Sequence, residues 1–148
     1  MIIDILKTLF KRDLEKLIEE ISLYKNEKAI WRVEGHIANS AGNLTLHIIG
    51  NLNAFIGAVI GESGYIRNRA EEFSLKDISR DELIRKLRET VTVVESSLSK
   101  MRPERLGEEY PVLVFAEKMS TEFFMIHLAT HLAYHLGQVN YHRRLLDK

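Results

Sequence analysis

Only two prolines occur in 148 residues, Pro103 and Pro111, and both fall in one stretch. Proline removes a backbone donor and clashes with the preceding helical turn, so long uninterrupted helices are permitted everywhere else. Apolar residues recur at helical spacing through most of that length. Ile2, Ile5, Leu6, Leu9, Leu14, Leu17, Ile18 and Ile21 predict a first helix from Ile2 to about Tyr24. The connector that follows, through Trp31, Gly35 and His36, carries no period and predicts no regular structure.

A second helix is expected from Ser40 or Asn43 to about Gly61, "SAGNLTLHIIGNLNAFIGAVIG". Its apolar residues nearly surround the axis, which predicts deep burial. Gly50, Ala54, Gly57, Ala58 and Gly61 gather on one side. An interior glycine costs about 1 kcal/mol against alanine, so several on one face imply a close approach by a helix, a second subunit or a ligand. Close helix packing is the plainer of these.

Residues 62–79 are polar and too long for a simple helix–helix turn, which suggests a crossover. Ser79 and Glu82 have capping-box spacing before a third helix that carries Leu83, Leu87, Val91, Val94 and Leu98 and ends near Pro103. The run Val112–Phe115 is β-like but alone, and predicts an ordered loop. Ser120 is placed to cap a fourth helix, with Glu122 in its first turn. No repeat or domain boundary is visible. The expectation is one all-α domain over residues 1–148, a four-helix bundle with a long crossover.

That fourth helix, Ser120–Leu146, holds four of the six histidines. His127, His131 and His135 step by four, and with Gln138 and His142 they fall within a stripe roughly 80° wide. Leu128, Leu132, Leu136, Val139 and Leu146 run beside it, so the imidazoles are expected to face an apolar side. Two histidines four apart can converge on one metal ion, and a bundle draws further ligands from a facing helix. His47 is the one histidine within a helical apolar run elsewhere. The candidate ligands are therefore His47, His131 and His135. The competing reading is a set of hydrogen-bonded core histidines. His127 could replace one of the three or support them from behind; His142 lies too far along the helix, and His36 reads as a surface imidazole.

"HLAYH" has the spacing of the zinc-protease motif, but Leu132 stands where that motif has its glutamate, which argues against such a protease. No carboxylate shares the stripe. Three neutral imidazoles leave open coordination positions, the pattern of catalytic zinc, while nickel, iron(II), cobalt and manganese suit the same donors. Asn43 and Asn51, one turn either side of His47, and Gln138 are candidates to hydrogen-bond a substrate or to orient a ligand ring.

The composition narrows the setting. There is no cysteine, so neither disulfides nor a thiolate site exists. Lys plus Arg equals Asp plus Glu at 21 each, which gives no electrostatic case for nucleic acid or an anionic membrane. Asp4 and Lys7 interrupt the N-terminal apolar run and no apolar segment is long enough to span a bilayer, so the expected location is the cytoplasm.

The stretches "NSAGNLTLHIIGNLNAFIG" and "THLAYHLGQVNYHRR" resemble the DinB/YfiT-like superfamily of metalloenzymes, closest to a branch without an assigned function. His131, His135, Gly137 and Gln138 match its C-terminal motif, and His47 its upstream histidine. The resemblance implies an up-down-down-up four-helix bundle, commonly a homodimer, holding zinc or nickel on those three histidines. Some relatives transfer low-molecular-weight thiols such as bacillithiol, and others are mycothiol-dependent isomerases. The functional expectation is a metal-dependent enzyme acting on a small molecule, with thiol transfer favoured. The alternative is a non-catalytic, metal-binding dimeric bundle.

Overall fold

In the computed structural model, which describes residues 1–148, the chain is all-helical, with five α-helices and no strand. They are α1 (Ile2–Leu23), α2 (Ala41–Leu52), α3 (Arg69–Ser74), α4 (Arg80–Lys100) and α5 (Thr121–Leu146). A π-helical turn, Asn53–Ala58, continues α2, and 3-10 turns cover Glu27–Trp31 and Pro103–Gly107. The helix α3, inside the crossover, was not expected from the sequence. Three N-caps are where the spacing places them: Ser40, Ser79 and Ser120 each accept from the backbone N–H three residues on. The box at Ser79 is only half formed, because Glu82 pairs with Arg85 instead of reaching back.

Leu6, Phe10, Leu14, Leu17 and Ile21 form the buried face of α1. It packs on α4 and α5, and α2 packs on the same two helices. One cluster of 28 buried apolar residues runs through all four. Fully burying a Leu, Ile or Phe stabilises by roughly 1.5–3 kcal/mol, so this cluster dominates the favourable side of folding. Tyr24, just past α1, donates its hydroxyl to buried His142 Nδ1 at 2.6 Å, and His142 Nε2 donates to the Arg32 carbonyl at 2.7 Å. Both ring nitrogens of His142 are thereby spent on structure.

All twelve residues of α2 are buried, as its unbroken apolar surface predicts. Its glycines admit several different neighbours. A Cβ on Gly42 would strike the Trp31 ring, and one on Gly57 or Gly61 would strike Val93 or Ser97 of α4. A Cβ on Gly50 would lie 1.8 Å from the Glu72 carboxylate. Close helix packing therefore explains part of the glycine face, and a charged side chain from the crossover explains the rest.

The π turn leaves carbonyls without their usual partners. Asn53 Nδ2 donates to Ile49 O at 2.8 Å and Thr90 Oγ1 at 2.9 Å, and Tyr110 Oη donates to Phe55 O at 2.6 Å. The crossover leaves through Glu62 and Gly64 and rejoins through Asp77, all at positive φ. Asn43 ties it down: its amide donates to Glu72 O at 2.9 Å and Leu75 O at 2.8 Å, and its Oδ1 accepts from Lys76 Nζ at 2.6 Å. These bonds hang α3 over the middle of α2. No helix is long and apolar enough to cross a membrane.

Candidate metal centre

α2 carries His47 to the seam with α5, where His131 and His135 occupy successive turns. The Nε2 atoms of His47 and His131 are 3.3 Å apart, and those of His131 and His135 are 3.1 Å apart. One nitrogen from each of the three rings falls within 4.8 Å of the others. A tetrahedral ion with metal–nitrogen bonds of about 2.0–2.1 Å needs ligand nitrogens roughly 3.3 Å apart.

The proton inventory favours a cation over a purely hydrogen-bonded cluster. His47 Nδ1 donates to Glu72 Oε1 at 3.0 Å, and His135 Nδ1 donates to Gln138 Oε1 at 2.7 Å. In the neutral tautomers so selected, both Nε2 atoms carry lone pairs. His131 Nε2 sits against both and has at most one proton to offer. A positive ion among the three satisfies all of them, so the donor set fits a divalent metal such as zinc.

Burial supports the neutral state. His131 is pushed down to about 4, first by burial and then by the neighbouring His135, His47 and His127. His47 is lowered by burial, against the opposing pull of Glu72. Ligating imidazoles must be neutral, and these two are held so.

Behind His47 stands a charged pair. Glu72 is only 6% exposed and takes Arg67 in a two-point fork, Nε to Oε2 at 2.8 Å and Nη2 to Oε1 at 2.9 Å. Arg67 also lies over the Phe55 ring at 5.5 Å. The carboxylate fixes the His47 tautomer and the arginine fixes the carboxylate. Sequence reasoning missed both residues. The statement that no carboxylate shares the histidine stripe is correct for α5 but does not describe the site, because the carboxylate arrives from α3. The trace of it in the sequence is Gly50, whose missing Cβ is where Glu72 enters.

The remaining candidates divide. Gln138 sits behind His135, as a ring-orienting residue should. Asn43 acts on the crossover. Asn51, one turn past His47, is 7% exposed and its Oδ1 has no hydrogen-bond partner within the chain. His127 is outside the trio: its ring stacks on Phe124 at 5.9 Å, lies 6.2 Å from that of His131 and meets Phe115 edge-on at 5.0 Å. His142 is committed to Tyr24 and Arg32, and His36 is exposed. His131 and His135 are half-buried on the flank of α5, while Leu128, Leu132 and Val139 take the interior.

From residue 3 to residue 148 the chain matches the family described as "Protein of unknown function (DUF1572)". The chain belongs to that family. No curated protein matches it. Since the DUF1572 description assigns no activity, the chemistry of this DUF1572 protein has to be read from the site itself.

Proposed function

We propose that this DUF1572 protein is a metal-dependent enzyme of the DinB/YfiT type, in which His47, His131 and His135 hold a divalent ion, zinc or nickel. The observation that carries the reading is the convergence of three Nε2 atoms whose protons cannot satisfy one another. A bound ion would supply Lewis-acid activation at an open position, including deprotonation of a thiol ligand. The chain's own residues do the rest. Glu72 and Gln138 keep the Nδ1 protons in place and so aim the Nε2 lone pairs inward. Arg67 holds Glu72 oriented through its two-point fork.

Transfer of a low-molecular-weight thiol to an electrophile is the favoured reaction. The test is purified, metal-loaded protein with a panel of thiols and a generic electrophile. Turnover that disappears in His131→Ala supports the reading; equal rates in variant and parent contradict it.

The topology we propose is the single four-helix bundle, up-down-down-up. It is supported by Tyr24 reaching His142 at the ends of α1 and α5, by Asn53 and Gly57 meeting Thr90 and Val93, and by His47 and Phe55 meeting His131 and Phe124.

A homodimer is proposed as its assembly state, on the outer face of α5. Phe123, Ile126, Ala133 and Tyr134 recur at helical spacing there and are all exposed. A contiguous apolar stripe of that kind marks an interaction surface. This stripe also favours the second reading, a metal-stabilised dimer without turnover. That reading predicts melting protected by metal through mass action while the thiol panel stays silent.

A further inference from the structure

A cavity of about 420 Å³ opens beside the histidine cluster, between the connector ahead of α2 and the C-terminal half of α5. That is within the range of about 300–1,000 Å³ typical of small-molecule sites. It shares a wall with the cluster, because His135 and the Gln138 that holds its Nδ1 proton both line it.

Two properties define what it accepts. None of its ten lining residues is Asp, Glu, Lys or Arg, in a chain that is 28% charged. An organic cation entering would lose water with no carboxylate in the wall to replace it, and an ion held on His135 would repel it. The polar groups, however, are unspent. His36, Asn39 and Tyr141 make no side-chain hydrogen bond within the chain, and Gln138 uses only its Oε1. Leu44 and Leu145 add an apolar surface. The opposite side of the cluster differs, since it is walled by the Arg67–Glu72 pair.

We infer that this cavity is a binding site for a neutral, partly apolar small molecule bearing hydrogen-bonding groups. It deepens the proposed function, and rests on it, in assigning the body of the substrate to this side of His135. Uncharged ligands with an amide or hydroxyl and a ring or short alkyl body satisfy the wall. Amines of the same shape do not.

The test uses two probes of one shape, benzamide and benzylamine, titrated into the zinc-loaded full chain and followed by NMR. Benzamide is expected to shift the signals of residues 37–39, Gln138 and His135 saturably, with benzylamine roughly tenfold weaker or worse. Ala38→Trp fills the cavity from its exposed rim and should abolish the benzamide shifts at unchanged zinc content. Tyr141→Ala removes an exposed wall residue without threatening the fold and should weaken binding. Two probes binding alike, no benzamide binding, benzamide shifts centred on Arg67, or binding undiminished in whichever of the variants folds overturns the inference. Zinc content of the same samples is read separately. Its absence refutes the metal centre, whereas the benzamide map decides the cavity.

Discussion

The two imidazoles that flank His131 are held from behind by different means. His47 leans on a carboxylate that is almost fully buried and clamped by Arg67; His135 leans on the neutral amide of exposed Gln138. A carboxylate makes a stronger hydrogen bond than a neutral amide, and it raises ligand basicity more. The α2 side of the centre is therefore the rigid side and the α5 side the adjustable one. The rigid side is also the one built from distant sequence, since Glu72 lies 25 residues from His47.

The sharpest way to break this comparison is Glu72→Ala. It leaves His47 free to rotate and Arg67 without its partner, and should weaken zinc binding about 10–100-fold, measured by competition with a chelator of known affinity. Gly50→Ala reaches the same end by steric means, since its Cβ would occupy the carboxylate's place. It should reproduce much of the Glu72→Ala loss although no ligand or hydrogen-bonding side chain is altered. Zinc affinity equal to the parent in Gly50→Ala would show that Glu72 does not orient His47.

Acid gives the next effect. His131 is pushed down to about 4 and His47 and His142 are lowered, all chiefly by burial. In the unfolded chain these groups protonate near 6.5, while the folded chain resists. The stability they allow is whole above about pH 6.5 and falls as the pH drops toward 4. Chelator-treated protein should show a falling melting temperature across that window. The gap between metal-loaded and metal-free protein should close over the same range, since protonation competes with the metal.

Gln138→Leu should give the smallest change, a loss of zinc affinity below about tenfold, because water can replace an exposed amide behind His135. A loss as large as that of Glu72→Ala would erase the distinction between the two sides.

The same asymmetry explains what the sequence disclosed. His131, His135 and Gln138 are readable because their relation is local: spacings of four and three on one helix fix which side chains meet. The five helical termini bounded by Ser40, Ser79, Ser120, Leu23 and Lys100 are readable for a similar reason, through caps, breaks in period and a proline. His47 is reachable by elimination, as the lone histidine in a second apolar helix. Glu72 is not. Its segment is short and polar, and no period within it says which helix it lies against. What decides that is Asn43, whose amide spans two carbonyls of the crossover, together with the gap at Gly50. How deep the imidazoles lie is not readable for a related reason. α5 is apolar on nearly every side, so its leucines mark the core while Phe123, Tyr134 and Tyr141 face outward, and the pattern alone does not rank those faces.

The central claim is that three imidazoles share one ion. The most direct measurement is anomalous diffraction at the zinc edge from crystals of the zinc-loaded protein. The account predicts one strong peak about 2.0–2.1 Å from the Nε2 atoms of His47, His131 and His135, with Glu72 and Gln138 still on their Nδ1 atoms. A fully loaded crystal with no peak between those rings, or with zinc bound elsewhere, would contradict it.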